Sequence, residues 1–278
     1  MKNFIKNNIE KRMTLPALVM VLLLAVCGCE TDEDQTVATL TNLVLSEEFD
    51  SDGAPNPAVW GYDIGRGPNG DGWGNQELQY YTDRSDNVEV QNGVLLITAR
   101  QESFEGASYT SARLLTKDLF EQKFGRFEAR IRLPYGQGIW PAFWMLGADI
   151  DENPWPAAGE IDIMEYRGQQ PTVLVGSVHG PGYSGGDAIS KEFILENDRF
   201  DTGFHIFGIE WGPDYVNFYV DDFLYNRITP EDVTGPWVFD KPFFILMNLA
   251  VGGSFVGAPN AETEFPQTML VDYVRVYN

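Results

Sequence analysis

Cysteine is almost absent. The 278 residues contain two, Cys27 and Cys29, both at the end of one short apolar run. Everything after Cys29 must therefore fold without a disulfide and rely on its own core. About 240 residues suffice for one large β domain of that kind. Positive charge is also scarce, with 19 Lys and Arg against 41 Asp and Glu, for a formal net charge of −22. Such a field repels polyanions at long range, so nucleic acid and heavily sulfated or uronic polymers make poor partners, and a neutral one is expected. Histidine is limited to His179 and His205. The apolar run from Leu15 to Val26 falls short of the ~20 residues that cross a bilayer as a helix. No internal repeat or second domain is evident, and no stretch carries the pattern of a long helix.

Lys2, Lys6, Lys11 and Arg12 precede that apolar run, a charged segment followed by a short hydrophobic one, so residues 1–28 read as an export signal. Gly28 before Cys29 resembles the lipobox of bacterial lipoproteins, which implies acylation of Cys29; Cys27, after Val26, fits less well. The acidic run Glu30-Thr31-Asp32-Glu33-Asp34-Gln35 has little apolar content, so residues 29–38 are expected to be a flexible tether. An acidic run at this place also resembles a surface-export signal. The expectation is an exported, outer-membrane-anchored lipoprotein, monomeric, touching the membrane only through its lipid, with one folded domain over residues 39–278.

Within that domain the pattern is strand after strand. Phe127, Ala129, Ile131 and Leu133 alternate with Arg126, Glu128, Arg130 and Arg132, giving one apolar and one charged face. Phe207, Ile209 and Trp211, then Gly212-Pro213-Asp214, then Val216, Phe218 and Val220 read as a hairpin. Further strands are expected near Gly93 to Arg100, Val173 to His179, Phe243 to Ala250 and Met269 to Tyr277. Many antiparallel strands with Gly and Pro at their turns predict an all-β sandwich of two sheets.

The segment Gly159-Glu160-Ile161-Asp162-Ile163-Met164-Glu165-Tyr166 carries the chemistry. Alternation places Glu160 and Asp162 on one strand face, yet strict alternation would turn Glu165 into the apolar side, at a cost of several kcal/mol. A β-bulge at Ile163 and Met164 restores the register and returns Glu165 to the acidic face. The outer two carboxylates then stand about 13 Å apart along the backbone. Two Glu side chains leaning inward close that to about 5 Å, the spacing of a retaining glycosidase pair. Like charge at that range keeps a proton on one of them while the other ionises.

With its extra bulge residue, this segment resembles the active-site strand of glycoside hydrolase family 16, in the form found in laminarinases, agarases and carrageenases. The likeness runs from Glu47-Glu48-Phe49-Asp50 to Val271-Asp272-Tyr273-Val274-Arg275-Val276-Tyr277. It implies a β-jelly roll with a concave substrate cleft, Glu160 as nucleophile, Glu165 as acid/base and Asp162 between them. Trp140 and Trp144 share one face of Gly138-Ile139-Trp140-Pro141-Ala142-Phe143-Trp144-Met145 and suit stacking on sugar rings. The laminarinase-like stretches Gly72-Trp73-Gly74-Asn75-Gln76-Glu77 and Tyr109-Thr110-Ser111-Ala112-Arg113 imply that Asn75 and Arg113 face substrate. The resemblance places His179 beside the acid/base. Asn248, polar in an apolar strand, is expected to point into the cleft, whereas His205 reads as structural.

Where laminarinases commonly show an Asn-Trp-Pro-Gly-like loop, this chain reads Ser254-Phe255-Val256-Gly257, so one end of the cleft is expected to lack a Trp. Family members often hold a structural calcium; the matching positions are Glu48, Gly93 and Asp272, and catalysis itself needs no cofactor. The implied activity is retaining endo-hydrolysis of neutral β-1,3-glucan. Mixed-linkage glucan or an agar-type galactan as substrate, and a non-catalytic glycan-binding lipoprotein, stay open at this stage.

Overall fold

The computed structural model describes residues 40–278. The export signal, Cys29 and the tether lie outside the described residues. In chain order the strands are β1 (Leu43–Glu47), β2 (Gly61–Tyr62), β3 (Gln79–Tyr81), β4 (Val88–Gln91), β5 (Val94–Phe104), β6 (Ala107–Ser111), β7 (Arg113–Leu115), β8 (Glu121–Gln122) and β9 (Gly125–Arg132). They continue with β10 (Ile139–Gly147), β11 (Glu160–Tyr166), β12 (Val173–His179), β13 (Ile189–Ile194), β14 (His205–Gly212), β15 (Tyr215–Val220), β16 (Phe223–Ile228), β17 (Phe243–Val251) and β18 (Gln267–Tyr277). No α-helix occurs among the described residues.

Two sheets result. One runs β16-β15-β14-β9-β18-β5-β6-β3, with β1 on β18 and β4 on β5; the other runs β13-β12-β11-β10-β17-β7-β2, with β8 on β17. The pairing is antiparallel apart from β3 on β6. The expected two-sheet sandwich is therefore present, and the Phe207 to Val220 hairpin closes through Pro213 and Asp214 between the paired Gly212 and Tyr215. The turn joining β4 to β5 uses Asn92 and Gly93, both at positive φ (53° and 78°), the conformation that a two-residue hairpin favours.

The core lies between the sheets. Phe127, Ala129 and Ile131 of β9, with Phe207 and Ile209 of β14, face Phe143 and Met145 of β10 and Ile245, Met247 and Leu249 of β17; all are fully buried. The opposite, charged face of β9 is partly covered. Arg126 and Glu128 are buried, with Arg126 Nε donating to Glu128 Oε2 at 2.8 Å and Nη2 to Asp222 Oδ1 at 2.5 Å. Neighbouring long side chains cover one another there, which strand periodicity cannot report.

The bulge in β11 stands where the alternation requires it. Asp162 pairs with Ser177 and Glu165 with Val175, so Ile163 and Met164 together oppose Gly176. On the other side Asp162 faces Trp144 and Met164 faces Phe143, which leaves Ile163 without a partner. Ile163 and Met164 are both buried in the core (1% and 0% exposed), so two consecutive side chains point inward and the carboxylates stay on the outer face. Gly176 makes room: a Cβ there would lie 2.2 Å from Tyr225 Oη and 2.7 Å from a Phe218 ring carbon.

Deleting Met164 leaves Glu-Ile-Asp-Ile-Glu, which still alternates correctly. That variant is expected to fold, with a loss of about 2–5 kcal/mol from the vacated core volume. Deleting Ile163 as well inverts the face of Glu165 and is expected to abolish the cooperative transition. Thermal melts followed by circular dichroism check both outcomes, and a cooperative melt of the double deletion near that of the single one would contradict the same-face assignment.

Candidate active site

The outer face of the β13-to-β17 side of the second sheet floors a cleft of about 830 Å³. Glu160, Asp162 and Glu165 project into it from β11, flanked by Trp140, Ala142, Trp144 and Leu146 from β10 and by Val175, Ser177 and His179 from β12. Each set is spaced by alternation, with the bulge absorbing the one irregular step. All nine residues named from the sequence as catalytic or substrate-binding line this one cleft.

The three carboxylates titrate far from their ordinary range. Burial, then the charge of Asp162, pushes Glu160 up to about 8. Burial pushes Asp162 up to about 7, held back by a hydrogen bond with Glu160. Two buried carboxyl groups in such contact hold one proton between them. Glu165 is raised well above its usual value, first by burial and then by both Asp162 and Glu160. No Lys or Arg among the described residues forms an ion pair with any of the three. One of them gains relief from a neutral donor: Trp140 Nε1 donates to Glu165 Oε1 at 3.1 Å, and the Trp155 indole lines the same cleft.

His179 is in the site, but not where the resemblance placed it. It sits directly across from Glu160 in the β11–β12 ladder, with Nε2 2.9 Å from Asp162 Oδ2 and 3.6 Å from Glu160 Oε1. It therefore serves the Glu160 end of the row, because the register of β12 fixes its partner. Gly185 N–H donates to His179 Nδ1 at 3.1 Å, so in the neutral ring the proton is on Nε2, facing the acids. The approach to Oδ2 is off the line of a good hydrogen bond, and the N–H acts as a nearby dipole. Glu160, Asp162 and His179 bring one potential ligand atom each within 4.8 Å of the others, but a protonated Nε2 offers a metal no lone pair.

The walls are locked from behind. Trp144 Nε1 donates to Asn248 Oδ1 at 2.7 Å, fixing both in the cleft. The Arg113 guanidinium lies between two indoles, 4.5 Å from the Trp73 ring and 4.7 Å from that of Trp144, with Nε 2.9 Å from Asp63 Oδ2. Asn75 sits in a tight turn, Gly72–Gln76, closed by Glu77 N–H donating to Gly72 O at 3.3 Å. Its Nδ2 donates to the buried Glu77, which also accepts from Gln79 Nε2 at 2.6 Å and Tyr81 Oη at 3.2 Å.

Sequence reasoning passed over Trp73, Glu77, Trp155, Arg167 and Phe255, all of which line the cleft. The loop after Gly253 lacks a Trp, as expected, yet its place against Trp140 is not empty. Phe255 fills it, its ring 5.0 Å from that of Trp140 and capped by Arg167 at 3.9 Å. The available signal was an aromatic residue two positions after the Gly252-Gly253 pair. The expected calcium ligands do not form an oxygen cage. Glu48 spends both oxygens on Arg275 at 2.8 Å each, Asp272 pairs with Arg130 at 2.7 Å, and Gly93 belongs to a hairpin turn. Both carboxylates are already matched by guanidinium groups, so this set does not fit a calcium ion.

A two-sheet sandwich with a row of paired carboxylates in an aromatic-walled cleft is the form of a glycoside hydrolase. Residues 75–275 match the model for glycosyl hydrolases family 16, and the chain belongs to that family. It is similar to a beta-glucanase of Rhodothermus marinus, 43% identical over 279 residues that cover 97% of this chain and 96% of the relative. It is also similar to glucan endo-1,3-beta-glucosidase A1 of Niallia circulans, 38% identical across 89% of this chain but only 39% of that longer protein. Among solved structures, the laminarinase catalytic domain of Thermotoga maritima matches with a TM-score of 0.81 and 48% identity, covering 85% of this chain and 98% of that one.

The raised carboxylates make stability depend on pH with a definite sign. A folded-state pKa above the ordinary value means the native state holds its proton more tightly than the unfolded chain. Glu160, moved from 4.5 to about 8, thus contributes stability at low pH that is lost as pH rises through that interval. Glu160→Gln removes its share of the loss. The variant should melt above wild type near pH 8, with the gap shrinking toward about pH 4. Parallel melting-temperature curves from scans across that range would show that Glu160 does not carry the strain.

Proposed function

We propose that this enzyme cleaves β-1,3-linked glucan internally, with retention, by double displacement through Glu160 and Glu165. The observation that carries the reading is the bulged row of carboxylates, with an indole donating to Glu165, set in a cleft walled by Trp140 and Trp144. With the shared proton on Asp162, Glu160 is free to attack the anomeric carbon. Glu165, held protonated by burial and by two like charges, delivers its proton to the leaving glycosidic oxygen. It then takes a proton from water, which displaces the sugar from Glu160. Asn75, Arg113, Asn248 and the two Trp faces hold the sugar chain. The names of the beta-glucanase, endo-1,3-beta-glucosidase and laminarinase relatives support β-1,3-glucan as substrate, and the net charge of −22 favours a neutral polymer. A glycan-binding lipoprotein would need no acid/base pair.

Glu160→Ala is expected to lower hydrolysis at least about 1,000-fold while leaving glucan binding within a few-fold, since the stacking surface is untouched. Azide or formate should restore part of the turnover by replacing the lost carboxylate. Reducing-sugar release from β-1,3-glucan, mixed-linkage β-1,3-1,4-glucan and agarose measures activity and linkage together. Undiminished activity in the alanine variant would remove Glu160 as nucleophile.

We further propose that the enzyme is a monomeric bacterial lipoprotein, exported by residues 1–28 and held at the outer membrane through Cys29, with residues 29–38 as tether. The support is the sequence pattern alone. Cys29→Ser should move the protein from the membrane fraction to the soluble one, whereas Cys27→Ser should not. Identical partitioning of the two variants in cell fractionation would refute this assignment.

A further inference from the structure

Glu77 takes no part in the mechanism above, yet it is a carboxylate only 4% exposed with three neutral donors around it. The directions of those bonds follow from the backbone outward. Val251 N–H donates to Gln79 Oε1 at 2.8 Å, so the other arm of that amide is the donor Nε2, and it meets Glu77 Oε2 at 2.6 Å. Tyr81 Oη donates to the same oxygen at 3.2 Å, and Glu77 Oε1 accepts from Asn75 Nδ2 at 3.2 Å. Burial raises the Glu77 pKa, and these donors, Gln79 first, oppose that rise and favour the ionised, acceptor-only form. Such a partner leaves the Asn75 amide one orientation, with its NH2 toward Glu77 and Oδ1 on the other arm. The turn is fixed as well: Ser254 N–H donates to Asn75 O at 2.8 Å, and a β-bridge links Glu77 to Gly252. Asn75 lines the cleft, and its Oδ1 has no partner among the described residues.

We propose that Glu77 is a positioning residue that sets the polarity of Asn75: as the last link of a directed chain from Val251, it turns the Asn75 carbonyl oxygen to the cleft, where that oxygen accepts a hydrogen bond from a hydroxyl of the bound sugar chain. The acceptor selects for a free O–H at that place. A methyl ether or a sulfate ester there has no proton to donate and sets one acceptor against another, so the site takes unsubstituted glucan in preference to etherified or sulfated chains. The inference rests on the glucan-hydrolase reading, in which Asn75 holds the sugar chain.

Two variants reverse that polarity and then restore it. Glu77→Gln keeps the size of the side chain; its oxygen still accepts from Gln79 and Tyr81, which puts its NH2 against Asn75 and turns the Asn75 amide over. KM for β-1,3-glucan should rise about tenfold with kcat within about twofold of wild type, because the lost bond serves binding and not the reacting atoms. In the double variant Glu77→Gln, Asn75→Asp the donor and acceptor of the contact change places, and an oxygen again faces the cleft. Its KM should return to within about threefold of wild type, and it should melt no lower than the single variant. A residue that only keeps the turn in shape predicts the reverse, since two substitutions would disturb it more than one. If Glu77→Gln melts below the assay temperature, the double variant carries the test, because its donors and acceptors match. Wild-type KM in Glu77→Gln, or a double variant with KM still raised or with a lower melting temperature than the single one, overturns the proposal. Wild-type protein is assayed on β-1,3-glucan alongside, and absence of turnover there would sink the functional reading instead of this one.

Discussion

The structure turns on a crowding of negative charge: three carboxylates on one strand, facing one cleft, none of them paired with a Lys or Arg among the described residues. Two charges about 5 Å apart at an effective dielectric of about 20 repel by about 3 kcal/mol, which is a large fraction of the whole stability of a domain. The site lowers this cost without abolishing it. Neutral groups supply partial relief, a hydrogen bond from Trp140 to Glu165 and the His179 Nε2 dipole near Asp162. An Arg in their place would hold all three acids ionised and leave no proton for the leaving group. Arg113 is close at hand, but Asp63 and two indole faces occupy it. Burial first, and then the unrelieved repulsion, keep a proton on Glu165.

That crowding needs the bulge, and the bulge needs the core. One extra residue in β11 adds an inward-pointing side chain, which must be buried. Ile163 and Met164 are accepted side by side only because β12 offers Gly176 opposite them, with Tyr225 and Phe218 packed up to its bare Cα. A catalytic spacing on the outer face is thus set by a packing arrangement on the inner face, and the two faces vary together.

What the sequence made legible was periodic. Alternation identified the strand faces, the acidic row, the cleft side of Trp140 and Trp144, and the need for an irregular step between Asp162 and Glu165. Features that depend on what a distant segment lays over a strand were not legible. Arg126 and Glu128 look like solvated outward residues until β15 and Asp222 cover them. Glu48 and Asp272 look like free oxygen ligands until Arg275 and Arg130, ordinary outward strand residues, claim them. Trp155 and Phe255 sit in loops without period, so neither face nor partner can be read from their neighbours. Phe255 replaces an expected Trp by position rather than by identity, and only the contact with Trp140 reveals it.

The rim explains how so strained a site stays in place in a domain without disulfides. At one end the loops close on each other through the backbone: Leu78 N–H to Val251 O, Gly252 N–H to Gly138 O and Ser254 N–H to Asn75 O, each at 2.8 Å. Gly253, at φ 103°, permits this, since a Cβ there would press on Asn75 O at 3.0 Å and the Trp140 ring at 3.3 Å. Gln137 and Gln169 both donate to Val256 O, at 2.7 and 3.0 Å, fixing the Phe255 loop from outside. At the other end the Lys241–Asp149 pair braces the Trp155 loop. The floor between these braced ends spans β13, β12, β11, β10 and β17, or about 19 Å at the usual strand spacing. A groove of that length holds several sugar units of a polymer, and contacts to the outer units can be spent on forcing the central one against the carboxylates. Rigid ends and a strained centre are the two halves of that arrangement: the braces hold the cleft walls in place, and burial together with repulsion at the centre leaves Glu165 a proton to give.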